Sequence, residues 1–193
     1  IYINNTLDIS TDTLTITGTG TPFTKSGPFT TTGSTVIYTG TTTATNITTT
    51  AYNNLTLTPD SATTYSLSGN LSGTNGLTGS LTISTNATLD VTVTPYNIDV
   101  AGNWSDSGAF TARTSTVTMD GTTNQSVTTG SSAFYNLTCA NTSTSPGVTF
   151  IDGTSVSNLF KDITASSVLT FTAATTSALN DIQLNGGAVG TRI

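Results

Sequence analysis

One stretch of this chain occurs twice, and the duplication limits the fold more than any single motif does. GAFTARTSTVTMDGTTNQSVTTGSSAFYNLTC runs from Gly108 to Cys139, and its counterpart GPFTTTGSTVIYTGTTTATNITTTAYNNLTL runs from Gly27 to Leu57. At one constant offset, Gly27 falls on Gly108, Phe29 on Phe110, Ser34-Thr35-Val36 on Ser115-Thr116-Val117 and Gly40 on Gly121. After a one-residue slip at a turn, Asn54-Leu55-Thr56 falls on Asn136-Leu137-Thr138. Outside the stretch, Leu7-Asp8-Ile9 matches Leu89-Asp90-Val91, and Phe23 matches Trp104. Self-similarity at a fixed period is the mark of stacked units, each burying its apolar face on its neighbours. The organisation expected is one continuous unit, 1–193, built from two repeats of about 82 residues (about 1–81 and 82–163) and a divergent C-terminal region.

The residues inside the repeat are strand formers. Leu7, Ile9, Leu14 and Ile16 alternate with polar residues, the period of a half-buried strand, and glycines at 18 and 20 close the run. Further short strands are expected at Ser34–Tyr38, Ala51–Thr58, Tyr65–Leu67, Leu77–Ile83, Leu89–Val93, Tyr96–Val100, Val148–Ile151, Val168–Thr172 and Asp181–Leu184. Thr and Ser fill more than a third of the positions, while Glu is absent and Lys and Arg number 4 together. β-Branched Thr suits a pleated surface, and the usual surface helix formers are missing. The nearest helical candidate, Ser155–Ile163, has no strong periodic face and reads at most as one short turn.

Closely spaced short strands without helical spacers leave two architectures, a β-sandwich or a β-solenoid. The solenoid is favoured: short apolar pairs around polar bends suit inward residues stacking coil upon coil, and Thr, Ser and Asn suit ladders of like residues. At ~24 residues per coil and ~4.8 Å between coils, the chain makes about eight coils and a rod ~40 Å long. The strings GNWSDSGAFTARTSTVTMDG, AFYNLTC, PGVTF and LTFTAATTSALNDIQLNGGAVGTRI resemble repeats of large bacterial surface proteins that form right-handed parallel β-helices. The resemblance covers roughly 80–193 well and 20–60 more loosely, and departs at Tyr38-Thr39 and in 59–80. It implies a right-handed parallel β-helix and an extracellular, adhesin-like setting.

Composition excludes several partners. Lys25, Arg113, Lys161 and Arg192 are the only cations in a chain of net charge −6. Four scattered cations form no phosphate-neutralising patch, so no nucleic acid is expected. No apolar run approaches the ~20 residues of a membrane span. The single cysteine, Cys139, stands where Leu57 stands in the other copy and reads as a small buried apolar residue.

Candidate chemistry is thin. All ten acids are Asp, dispersed along the chain; Asp120 and Asp152 each precede a glycine, a turn pairing, and Asp8 and Asp90 are repeat-equivalent. No catalytic residue and no cofactor is expected, with a surface calcium ion the one metal that short acids leave open. Asn46, Asn54, Asn70, Asn86, Asn103 and Asn136 open Asn-x-Ser/Thr glycosylation sequons, though Asn54 and Asn136 also suit turns or ladders. Tyr2, Tyr38, Tyr52, Tyr96 and Tyr135 could supply a lateral glycan-binding face, with Tyr52 matched to a core-like Phe134. Runs such as Thr13-Leu14-Thr15-Ile16-Thr17 are similar to those of ice-binding solenoids, but ice recognition needs them at one fixed place on each coil. Along the sequence they come irregularly, and plain Thr-rich strands are the expectation.

The ends carry the functional expectation. Ile1-Tyr2-Ile3 at one end and Thr191 and Ile193 at the other place apolar strand residues where a solenoid needs a cap. A secreted or surface-attached structural subunit is expected, in a filament or adhesin stalk, its partner a second copy stacked head to tail. The alternative is a carbohydrate- or surface-binding adhesin module acting through a lateral face.

Overall fold

The computed structural model describes residues 1–41 and 44–184, and within them the chain is an all-β solenoid of about eight coils. Among the described residues the only helical segment is a 3-10 turn at Gly73–Asn75. One sheet runs the length of the solenoid. Its eight strands, Thr13–Ile16, Thr35–Tyr38, Asn54–Leu57, Leu81–Ile83, Trp104–Asp106, Gln125–Thr128, Val148–Phe150 and Leu169–Phe171, pair in parallel, each with the strand one coil away. A four-stranded sheet (Thr45–Ile47, Thr63–Leu67, Ala87–Asp90, Ala109–Thr111) and a five-stranded sheet (Ile98–Val100, Thr116–Met119, Ala133–Cys139, Ser155–Asp162, Ala178–Leu184) form further faces. The first coils add two short pairs, Tyr2–Ile3 with Thr24–Lys25 and Leu7–Asp8 with Phe29–Thr30. The segment 155–163, read from sequence as at most a short turn, is a strand over Ser155–Asp162 with a register shift between Val156 and Leu159. That bulge lets one strand round a corner, and it hides the alternation that would have marked it.

Register is held by an inward apolar column. Leu14, Val36, Leu55, Leu81, Trp104, Val127, Phe150 and Phe171 follow one another in the eight-stranded sheet. The coils that separate them differ in length: the step from Val36 to Leu55 is short, that from Leu55 to Leu81 is long, and that from Leu81 to Trp104 lies between. Corners absorb the difference, as at the Gly73–Asn75 turn. A one-residue slip within a strand would instead turn every apolar side chain outward.

Aromatic side chains fill the interior. Trp104 packs edge-on against Phe110 and Phe134, with ring centroids 4.9 and 5.1 Å apart. Tyr38, offered from sequence as a lateral glycan-binding residue, is fully buried, which corrects that expectation, and Tyr52 is buried as its match to the core-like Phe134 implied. Burial of these phenols is possible because each hydroxyl is satisfied. The two hydroxyls lie 3.2 Å apart, and Tyr52 Oη donates to Thr48 O at 2.7 Å. Gln125 is equally buried and equally satisfied. Its amide nitrogen donates to Val100 O, and its oxygen accepts from Gly121 N and Asn141 Nδ2.

The repeated glycines mark close approaches between coils. A Cβ on Gly27 would stand 2.3 Å from Asn5 O, and one on Gly108 would stand 2.3 Å from Ala87 O. Neither distance is physically tenable, so both positions require glycine.

Candidate functional site

Exposed large apolar side chains gather towards the two ends, with Val93 and Ile151 standing apart from them. At the first coil Ile1 is 57% and Tyr2 68% exposed, while Ile3 turns inward. The amino terminus of Ile1 donates to Pro22 O at 2.6 Å. At the far end of the described residues Ile163, Val168, Phe171 and Ile182 are exposed, Phe171 at 41% and Ile182 at 50%. Thr13–Ile16 and Leu169–Phe171 are the two edge strands of the eight-stranded sheet, and Ala178–Leu184 is an edge of the five-stranded one. Each edge presents backbone N–H and C=O groups that another strand could pair with. Thr191 and Ile193, expected to take part in this contact, lie outside the described residues.

Two of the acids hold equivalent turns. Asp8 Oδ1 accepts from Ser10 N at 2.9 Å and Asp90 Oδ1 from Thr92 N at 2.7 Å, and Ser10 and Thr92 both have positive φ. This shared turn accounts for their equivalence in the repeat. Asp90 also takes a two-pronged contact from Arg113, Nε at 2.9 Å and Nη2 at 2.7 Å, and the guanidinium holds its carboxyl below the usual range. Asp152 reaches back one coil to accept from Thr129 N and Gly130 N. Asp106 is different. It occupies the inward column that Ile16, Tyr38, Leu57 and Ile83 fill on earlier coils, and it is 1% exposed. Oδ1 accepts from Gly108 N at 2.8 Å, but Oδ2 has no partner, and burial above all pushes its pKa up. Among the described residues no three Cys or Asp side chains gather as a metal would need.

Cys139 is buried between Met119 and Asp162 in the five-stranded sheet. Burial first, and the Asp162 carboxylate second, push its thiol well up, far from a reactive thiolate.

The sequon asparagines work between coils. Asn54 Oδ1 accepts from Ser80 N and Asn103 Oδ1 from Ser126 N, while Asn70 Oδ1 accepts from Asn97 N. Asn136 accepts from Asn158 Nδ2 at 2.7 Å and donates to Thr116 Oγ1. Asn46 Nδ2 donates to Thr21 Oγ1, and Asn86, at φ 71°, sits at a turn with its amide towards Asp60 O.

One lateral feature was not read from sequence. On the outward side of the eight-stranded sheet, two columns flank the inward one. The first is Thr13, Thr35, Asn54, Ser80, Asn103, Ser126, Thr149 and Thr170; the second is Thr15, Ile37, Thr56, Thr82, Ser105, Thr128, Ile151 and Thr172. Every coil therefore presents an outward–inward–outward triplet at the same place on this face. Aligning the sequence on the inward residue of each coil would have revealed it; aligning on the long repeat could not.

No protein-family model, no curated protein and no solved structure matches this chain.

Proposed function

We propose that the protein is a structural segment of an extracellular filament or adhesin stalk, secreted or held at the cell surface, and that it assembles by end-to-end stacking of solenoids. The observation that carries this reading is the coil-upon-coil parallel pairing along the described solenoid, with apolar side chains exposed on its outermost described coils: Ile1 and Tyr2 on one, Phe171 and Ile182 on the other. Stacking would pair the edge backbone groups and remove these side chains from water, each apolar Å² contributing roughly 25 cal/mol. A head-to-tail contact of this kind does not close on itself and builds a filament. The reading assigns no catalytic step, no resident metal and no nucleic-acid partner.

Electron microscopy of the purified protein at rising concentration tests it. Uniform fibres with a rise near ~40 Å, the height of about eight coils, support the proposal. Monodisperse particles at every concentration sink it, and glycan retention by such particles would favour an adhesin module instead. Burial of Tyr38 and Tyr52 weakens that second reading.

A further inference from the structure

Asn75 is set apart from the asparagines that stitch the coils together. Asn54, Asn70, Asn97, Asn103, Asn136 and Asn158 each stand immediately before a bulky apolar residue, and each is tied to a neighbouring coil by a side-chain hydrogen bond. Asn75 stands before Gly76, and among the described residues it is the only asparagine followed by glycine. It is half-buried, and among the described residues its side-chain amide has no hydrogen-bond partner. It closes the Gly73–Asn75 turn, whose flanks are sewn to the strand Ile98–Val100: Leu71 N donates to Asn97 O, and Leu77 N to Asp99 O. Leu71 and Leu77 are buried, whereas Gly73 and Thr74 at the tip are exposed. Gly76 N is held by a single bond, to Gly73 O at 3.1 Å. Such a 3-10 bond at an exposed tip has poor geometry and opens locally while the flanks stay paired.

We propose that Asn75 is a site of spontaneous covalent modification, its amide converted into an acid by ring closure with Gly76. With the bond to Gly73 O open, Gly76 N gives up its proton and attacks Asn75 Cγ. The N–Cγ bond forms, the Cγ–Nδ2 bond breaks, and Nδ2 leaves as ammonia, taking up that proton. Water then opens the cyclic imide at either of its carbonyls. Opening at Cγ leaves aspartate. Opening at the backbone carbon leaves isoaspartate, in which the chain runs through Cγ and gains a backbone atom. No oxidant, metal or enzyme enters the balance. Glycine permits the approach, because no Cβ crowds the attacking nitrogen; a Leu, Ile or Trp side chain shields that nitrogen after each of the other six asparagines. The place also tolerates the product. Corners absorb differences in coil length, so an added backbone atom here leaves the strand register intact. The new carboxylate stands on the turn that Asp99 caps, Oδ2 accepting from Gly73 N at 2.8 Å, and like charges loosen that cap.

The test is to age the purified full chain in mildly alkaline buffer and map its peptides by mass spectrometry at intervals. Methylation by an isoaspartyl methyltransferase reads the isoaspartate share. Acid should accumulate at Asn75 ahead of the six coil-bridging asparagines, mostly as isoaspartate, and faster as pH rises. Gly76→Ala should slow the change about tenfold or more. A Cβ at that position meets Asp99 Cβ at 3.3 Å, a contact that a small shift relieves. Circular dichroism melts check folding. Asn75→Gln, whose longer side chain disfavours ring closure, should keep its amide and stands in if the alanine variant does not fold. The proposal is overturned if Asn75 in the folded chain keeps its amide over the time in which the free peptide 72–78 converts fully. It is also overturned if any of the six other asparagines changes first, or if Gly76→Ala or Asn75→Gln converts as fast as the wild type. Loss of end-to-end fibres would leave this result untouched, because the turn lies on the coil between Leu55 and Leu81, away from the outermost coils.

Discussion

Val36 and Val117 hold the same place in the repeat and stand on different faces of the solenoid. Val36 belongs to the eight-stranded sheet and Val117 to the five-stranded sheet. Leu55 and Leu137, the next matched pair, shift in the same sense. The repeat thus preserves strand-and-turn chemistry while displacing it by one face around the axis. What is shared is local: an inward branched residue, and a glycine where the preceding coil comes close. Gly40 and Gly121 illustrate it, each leaving no room for a Cβ because a carbonyl of the coil before, Gly18 O or Ala101 O, would lie within 2.5 Å of it.

Asp106 should be a site where losing a charge stabilises the fold. Its folded pKa lies above the ordinary 3.8 because of burial, with Asp152 adding to the effect. The favourable state is therefore complete below pH 3.8 and is lost as pH rises through the folded value. Asp106→Asn should raise the melting temperature at neutral pH, since it keeps the shape and the acceptor for Gly108 N while removing a buried charge. The gain should vanish in melts below pH 3.8. An unchanged or lower melting temperature at neutral pH would show that the buried carboxylate is satisfied after all.

The Arg113–Asp90 pair should behave in the opposite sense. The guanidinium lowers the Asp90 pKa from 3.8, so the contribution is complete above that pH and falls away as pH drops through the folded value. Arg113→Ala should lower the melting temperature slightly at neutral pH and not at all at low pH. Because the pair sits at the surface, molar salt should erase the difference. A loss that survives high salt would point to packing of the arginine stem.

Trp104→Ala should be among the most damaging single changes. Removing a fully buried indole that anchors Phe110 and Phe134 costs about 3–5 kcal/mol, read by denaturant unfolding. Phe171→Ala, at a partly exposed edge, should cost much less, although it loses the stacked contact with Phe150 at 4.7 Å. Equal costs would mean that the last coil is as well enclosed as the one that holds Trp104.

Ile182→Lys should block assembly without unfolding the subunit. Half of this side chain is exposed on an edge strand. A charge there would be trapped at the stacking contact, while the free protein keeps it in water. Sedimentation should show loss of polymer with an unchanged melt; polymer formed as readily as by the wild type would place the contact elsewhere.

Glycosylation, in a host that performs it, should discriminate among the sequons. Asn54 Nδ2 donates to Ser34 O and Asn136 Nδ2 to Thr116 Oγ1, whereas Asn70 and Asn103 are exposed and use their oxygens instead. Mass spectrometry should find glycan at Asn70 or Asn103 before Asn54 or Asn136. The reverse order would mean that the inter-coil hydrogen bonds open before modification.

The sequence by itself determined the class of fold. Alternating Leu, Ile and Val, abundant Thr, the absence of Glu and the doubled stretch leave stacked β-strands as the structure that buries the apolar residues. It also marked Asp8 and Asp90 as repeat-equivalent structural residues, and the structure then showed that each bonds the backbone of a tight turn. The tertiary structure alone decided which side chains share a column, because register passes between strands a whole coil apart in the chain and depends on how each corner closes. For the same reason it alone decided that Tyr38 is interior, whereas Tyr52 was already matched to the core-like Phe134. A phenol reads as amphipathic until a partner for its hydroxyl is in place, and here the two tyrosines, with Thr48 O, supply it across the core. The two outward columns of the eight-stranded sheet belong with these: each triplet is visible in the sequence, but only the stacking of coils lines them up.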